Sequence, residues 1–259
     1  MAVPSDAVTI FAVDGLPEIH PGDDLATLLG DALGGTLVDG DILVITSKIV
    51  SKAEGRMVRL DEVTPSSRAL ELAEATAKDP RLVELVLSES AEVVRAVAGL
   101  IIARHRLGFV LANAGIDRSN LTLAGQGDET QEQALLLPID PDASAERLRA
   151  GLVGRLGVEV GVIITDSFGR SWRNGTVNVA IGAAGVTCLW DRRGELDRAG
   201  RVLQATEIAV ADALAAAAGL VMGEGAEGCP AALVRMAPPP APHQPASVLV
   251  RPLERDLFR

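Results

Sequence analysis

Val158-Glu-Val-Gly-Val-Ile-Ile164-Thr-Asp166-Ser167-Phe-Gly-Arg170-Ser-Trp-Arg173 is an apolar, largely β-branched run that breaks into Gly, Asp, Ser and Arg. The same grammar recurs where Leu107-Gly-Phe-Val-Leu111 gives way to Asn113-Ala-Gly-Ile-Asp117-Arg-Ser-Asn120. A strand ending in an Asp-bearing loop fixes a carboxylate at a sheet edge, where hydrogen-bonding groups and water remain available. Two such carboxylates brought together make a site for a hard cation, and nearby Arg and Asn side chains suit a phosphate. The pair points to phosphoryl chemistry with a divalent metal. For either loop alone, turn capping by Asp and Asn is the plainer account.

Around these segments, strands and helices alternate irregularly and without an internal repeat. Val8 to Val13 favours β, and Pro21-Gly-Asp23-Asp24 opens an apolar-periodic helix to about Leu33 with Asp23 as its cap. Asp41 to Thr46 reads as a short buried strand, followed by a turn holding Ser47 and Lys52. Helices are expected over Pro65 to Lys78 and Pro80 to Ser88. Three tightly connected strands follow (Glu92 to Val97, Leu100 to Arg104, Gly108 to Leu111), a meander rather than βαβ units. Gly125 to Gln133 is a polar connection, and Ser144 to Leu156 an amphipathic helix. Thr176 to Val186 is β-favouring, Asp191 to Gly194 a turn, Thr206 to Met222 a long helix and Ala231 to Arg235 a strand. The sum is a mixed α+β fold in two lobes, with boundaries near Glu62 to Pro65 and Pro138 to Ala143.

Of 259 residues, 48% are hydrophobic, enough for a sizeable core, yet aromatics are 2% and Tyr is absent. Asp plus Glu number 35 against 24 Lys plus Arg, a formal net charge of -11. Base-stacking aromatics and surplus cations are what nucleic-acid partners require, so neither nucleic acid nor an anionic membrane is expected. Cys188 and Cys229 lack the clustering of a zinc site or a disulfide framework. No secretory signal or membrane-length apolar stretch is visible, and a cytoplasmic setting is expected.

Neither Gly-x-x-x-x-Gly-Lys-Ser/Thr nor a strand-to-helix Gly-x-Gly-x-x-Gly is present. Gly223-Glu-Gly225-Ala-Glu-Gly228 has the second spacing but follows a helix, where a pyrophosphate would want an N-terminus. It reads equally as a helix-ending turn or as a loop closing on a ligand through its N–H groups. Asp117 and Asp166 are the first metal candidates, with Ser167 and Glu224 as further oxygens and Asn120 near enough to Asp117 to reach the same ligand. Ser47 and Lys52 could hold a phosphate, though an exposed lysine on a charged face is the commoner case. Arg170 and Arg173 around Trp172 could clamp an anion, or Trp172 could be core. His20, His105 and His243 are scattered, and His105 on its apolar strand reads as a satisfied buried group.

Taken together and in order, Gly15-Leu-Pro-Glu-Ile19, Pro21-Gly-Asp-Asp-Leu25, Asp41 to Gly55, Asn113 to Asn120, Thr165 to Arg173, Val221-Met-Gly223 and Leu249 to Phe258 resemble the coenzyme F420-0:L-glutamate ligase family, in its form without a C-terminal nitroreductase-like domain. The resemblance implies a GTP-dependent amide ligase, which adds L-glutamate to the terminal carboxylate of a deazaflavin coenzyme precursor through an acyl phosphate, giving GDP and phosphate. It implies two Mg2+ or Mn2+ ions per site, with K+ a further candidate, and an intertwined homodimer with the site between lobes. By position, Leu16, Pro17, Glu18, Ile19, Ser47, Lys52 and Asn120 would contact GTP. Asp117 and Asp166 would hold one metal, and Ser167 and Glu224 would belong to a second. Met222, Gly223, Glu224, Gly225, Ala226, Glu227, Gly228 and Cys229 would close over the nucleotide. Arg170, Arg173 and Arg192 are candidates for substrate contact, and no general base for the amine is evident. The rival is a metal-dependent phosphohydrolase or nucleotidyl transferase built on the same acids.

Overall fold

The computed structural model describes residues 7–119 and 132–256, so the expectations for Asn120, for residues 125–131 and for the last three positions lie outside the described residues. In chain order the first elements are β1 (Thr9–Ala12), α1 (Leu25–Leu33), β2 (Ile42–Thr46), α2 (Ser47–Ala53) and β3 (Met57–Arg59). Next come α3 (Ser67–Thr76), α4 (Pro80–Glu89), β4 (Ser90–Val97), β5 (Leu100–His105), β6 (Val110–Ala112), β7 (Gln133–Leu135) and α5 (Pro141–Leu156). The last are β8 (Gly161–Arg170), β9 (Arg173–Ala184), β10 (Leu189–Asp191), β11 (Glu207–Ala209), α6 (Val210–Met222) and β12 (Ala231–Arg235). This is the mixed α+β architecture that the alternation of patterns suggests.

A five-stranded mixed sheet in the order β1-β12-β2-β8-β9 organises the molecule. β2 and β8 run parallel at its centre, while every other neighbouring pair is antiparallel. Successive side chains of a strand face opposite sides. Leu43 and Ile45 accordingly pack with Leu29, Leu148 and Leu152 of α1 and α5, whereas Ile42 and Val44 pack with Leu214, Ala215 and Ala218 of α6. A strand buried on both faces needs apolar residues without alternation, which is what Ile42-Leu-Val-Ile supplies. The meander β4-β5-β6 forms as expected, and α3 and α4 cover it through Leu72, Val83 and Val86 against Ile101 and Ala103.

Four local expectations are corrected. Asp24, not Asp23, caps α1: its carboxylate accepts from Ala26 N and Thr27 Oγ1, while Asp23 accepts from His20 N. Asp24 holds the extended backbone immediately before the first helical turn, the conformation a cap needs. Ser47 to Lys52 is no turn but most of helix α2, capped by the Thr46 hydroxyl. Asp166 and Ser167 do not leave a strand for a loop; β8 continues to Arg170 because β9 pairs with it throughout, past a bulge between Ile164 and Thr165. Finally, α6 begins at Val210, since Glu207–Ala209 pairs with Leu189–Asp191 instead of joining the helix.

Candidate functional site

β2 runs parallel to β8, so its C-terminal end and the start of α2 lie beside Thr165 and Asp166, and the candidate groups collect there. Ser47, the first residue of α2, is buried and donates its hydroxyl to Asp166 Oδ1 at 3.0 Å. Lys48, one residue on, reaches Asp117 Oδ2 at 2.7 Å and Ser119 Oγ at 3.0 Å. Asp117 Oδ1 accepts both the N–H and the hydroxyl of Ser119, each at 2.8 Å. The two aspartates, far apart in the chain, thus belong to one cluster bridged by the first turn of α2. Lys48 is one residue that sequence reasoning missed; its only signal was adjacency to Ser47 at the end of a buried strand.

Burial pushes the Asp166 carboxyl up to about 6, against hydrogen bonds from the Ser47 hydroxyl and the Ser167 amide, and the negative charge of Asp117 raises it further. Asp166 keeps some accessible surface as a residue, yet its carboxyl is closely surrounded by protein, and that crowding is what governs its proton. Burial alone would raise Asp117 as well, but the Lys48 ammonium and the two Ser119 donors overcome it and hold the group below the usual carboxylate range. Two carboxylates that repel one another in a partly dehydrated site are the donor type that a hard divalent cation takes.

Alternation along β8 turns Ser167 to the face opposite Asp166. There it sits across from Asn178 of β9. Glu224 receives the Ser167 hydroxyl on one oxygen and Asn178 Nδ2 on the other, both at 2.6 Å. Asn178 in turn accepts from the Thr165 hydroxyl at 3.1 Å, which fixes its amide orientation. This second group of hard oxygens is the other expected metal set. Among the described residues no three His, Cys, Asp or Glu side chains converge as a ready cage. Either cation would therefore rely on substrate oxygens and water for most of its shell, as Mg2+ ordinarily does.

A cavity of 480 Å3 opens beside these groups. Its lining unites the two remote segments singled out for nucleotide contact, Leu16 to Ile19 and the loop Met222 to Cys229, with Thr46, Lys48, Lys52, Ser167 and Asn178. Lys52 is buried and ion-paired with Glu18. The loop is shaped by Gly223, at φ +77°, where a Cβ would fall 2.3 Å from Glu227 Cδ, and by the Gly225 N–H donating to Glu227 Oε2 at 2.7 Å. Ser47 lies beneath the cavity rather than on its wall. Asn178, Thr46 and Lys48 were not anticipated there; Asn178 sits in a stretch of small residues that carries no motif.

The arginine candidates fall elsewhere. Arg170 and Arg173 pair at the exposed tip of the β8–β9 ribbon, where Arg170 Nη2 donates to Asn174 O at 3.1 Å. Arg192 lies over the Trp190 ring at 4.8 Å and is ion-paired with Glu195 at 2.7 Å. None of the three lines the cavity. His105 is the satisfied buried group expected of it: Nδ1 accepts from Leu107 N at 3.0 Å, leaving Nε2 as the donor 3.3 Å from Glu89. Among the described residues no helix is long and apolar enough to cross a membrane.

Residues 15–236 match the profile of a family described as F420-0:Gamma-glutamyl ligase. The chain is 47% identical over 257 residues to the coenzyme F420:L-glutamate ligase of Methanothermobacter thermautotrophicus, covering 97% of this chain and 99% of that protein. Its identity to the protein of the same name from Methanopyrus kandleri is 47%, over 93% of this chain and 94% of that one. With the Archaeoglobus fulgidus protein, also so named, identity is 46%, over 88% and 87%.

Proposed function

The chain belongs to the F420-0:gamma-glutamyl ligase family, enzymes that form an amide bond with glutamate, and from that premise we propose that it joins L-glutamate to the terminal carboxylate of a deazaflavin coenzyme at the expense of GTP. The observation that carries this reading is the cluster of Asp117, Asp166, Lys48 and Ser47 beside a cavity that Lys48 lines together with two of the segments carrying the family resemblance.

A carboxylate and an ammonium do not condense in water, because oxide is a poor leaving group. Moving the γ-phosphoryl of GTP onto the carboxylate makes an acyl phosphate; the amine nitrogen then forms the C–N bond as the acyl C–O bond breaks, and orthophosphate departs with that electron pair. The balance is carboxylate, ammonium and GTP in, and amide, GDP, phosphate and one proton out. Phosphoryl transfer asks little covalent chemistry of the protein and depends on positioning and charge stabilisation. Lys48 and Lys52 supply fixed positive charge on the cavity wall, and the Met222 to Cys229 loop presents N–H groups to the nucleotide and shields it from water. Asp117 with Asp166, and Ser167 with Glu224, are the groups to hold Mg2+ or Mn2+. Bound there, such ions would neutralise phosphate charge. Asp117 and Asp166, engaged as ligands, would not serve as the base for the amine. Cation–phosphate contacts of this kind would make Asp166→Asn strongly impaired in turnover while folded normally.

The test is incubation of the purified protein with GTP, Mn2+, L-glutamate and the unglutamylated coenzyme, followed by mass spectrometry. The expected result is a mass gain of one glutamyl unit or more, with GDP formed in step. GTP hydrolysis that ignores glutamate would instead favour a phosphohydrolase. Scattering measurements in solution, expected to give twice the chain mass, test the dimer.

A further inference from the structure

The Lys48–Asp117–Ser119 cluster has a second side. Lys48 lines the nucleotide cavity, whereas Asp117 and Ser119 face another cavity, of 530 Å3. Leu82, Val83 and Val86 of α4 give this second space an apolar wall, and Lys78, Arg118 and Asn113 give it polar corners. Lys78 donates to Gly99 O at 3.1 Å and has no carboxylate partner among the described residues. Arg118 shares Glu132 with Arg81, and its own contact, at 3.3 Å, is the looser of the two; Arg81 also holds Asp79. Both cations retain donors to spend. Asn113 Oδ1 is buried and has no hydrogen-bond partner among the described residues, on a backbone held at φ +50°. An unspent buried acceptor costs about 1–3 kcal/mol, a cost that a donor arriving from the cavity would offset.

We propose, on the ligase reading above, that this second cavity is the subsite for the acceptor amino acid, L-glutamate. Its two carboxylates meet Lys78 and Arg118, its methylenes lie on Leu82 and Val86, and its ammonium points to Asp117 and Asn113 Oδ1. The chemistry distinguishes glutamate from the coenzyme. Two available cations match a dianionic side, and an unspent carbonyl oxygen beside a carboxylate matches an ammonium. Among the described residues the lining offers no aromatic ring on which a deazaflavin would stack. Location agrees: the nitrogen arrives at the cluster from the side away from the nucleotide, so the amine and the phosphoryl donor need not share one space.

Steady-state kinetics on the full chain tests this, with GTP, Mn2+ and the coenzyme saturating and L-glutamate varied. Loss of a charge-assisted hydrogen bond in Lys78→Met should raise KM for glutamate about tenfold or more. KM for GTP should stay within about twofold, roughly three tenths of a decade and worth little in free energy. Lys78→Arg should restore most of the loss, and glutarate, which lacks the amine, should compete with glutamate but not with GTP. A KM increase confined to the coenzyme would overturn the proposal and assign the cavity to the coenzyme's anionic arm; unchanged KM values would overturn it outright. Should the parent protein make no glutamyl product, the ligase reading fails by itself. Calorimetric titration of L-glutamate into parent and Lys78→Met then decides the subsite separately, and no binding to the parent overturns it.

Discussion

Gly182 of β9 lies hard against the first turn of α5, and an alanine there should be among the most damaging single changes. An added Cβ would lie 2.3 Å from Pro141 O and 2.4 Å from its carbonyl carbon. Comfortable contact is about 3.5–4.0 Å, so the helix would have to retreat by more than ~1 Å. Its first turn is poorly placed to do so. Asp140 caps it through Ala143 N at 3.0 Å, and Asp142 Oδ1 binds Ala183 N at 2.9 Å and Ala246 N at 2.7 Å. Overpacking against backbone costs roughly 3 kcal/mol, and stretching two hydrogen bonds to a carboxylate adds roughly 1–2 kcal/mol. At about 2–4 °C per kcal/mol, a loss of ~4 kcal/mol lowers the melting midpoint by roughly 10–15 °C. Gly154, in α5 itself, is the control: exposed, with nothing within 4 Å of an added Cβ. Gly154→Ala should stabilise by up to ~1 kcal/mol through helix propensity. Urea unfolding followed by far-UV circular dichroism reads both. A Gly182→Ala protein within about 1 kcal/mol of the parent would refute the reasoning, because no ordinary surface substitution costs more.

Gly219→Ala places a Cβ 2.4 Å from Asn178 Nδ2, the atom that holds Glu224; KM for GTP should rise about tenfold with the midpoint little changed, and an unaltered KM would show that Asn178 does not position Glu224. For Glu89, burial would raise the carboxyl, but His105, Arg56 and Arg106 outweigh it and the net direction is down. Its stabilisation is therefore complete above the unfolded value near 4.5 and is lost as pH falls through the lower folded value. Glu89→Gln should flatten the acid limb of stability below about pH 4.5, and an unchanged limb would assign the loss to other groups. Burial, with the charges of Asp142 and Asp212, pushes the Cys188 thiol up to about 12, whereas Cys229 lies on the cavity wall. N-ethylmaleimide should thus label only Cys229 in the folded protein, GTP with Mn2+ should slow that reaction, and rapid labelling of Cys188 would contradict its placement.

What could be read in the chain beforehand depended on where the information resided. β2 was legible because a strand covered on both faces needs unbroken apolar residues, and the meander because its three runs are joined by short turns. The extent of β8 was not. Asp-Ser-Phe-Gly-Arg carries turn-forming residues, and only the pairing with β9, decided by residues further on, holds it extended. The short helix α2 was hidden for the opposite reason: Ser-Lys-Ile-Val-Ser-Lys has β-branched residues with weak helical preference, overridden by the Thr46 cap and the burial of Ile49 and Val50. At the site, the two aspartates and the Gly223 to Gly228 loop stood out by their motifs. Lys48 and Asn178 did not, since their roles arise only when β2 meets β8 and β9 meets α6.

The charges at this site also explain how an acidic chain can serve a polyanionic co-substrate. Lys48 and Lys52, the cations on the nucleotide cavity, are each already paired, with Asp117 and Glu18. Glu224 and Glu227 add further negative charge to the same lining. A bare triphosphate would therefore meet a surface close to neutral or negative and gain little from it. On the proposed reading, cations taken up by Asp117 with Asp166, and by Ser167 with Glu224, would change that balance twice over: they would neutralise the carboxylates and free Lys48 from Asp117. The acids are then not an obstacle that the lysines must overcome. They would be the means by which a protein of net charge -11 acquires local positive charge only when the ions are present.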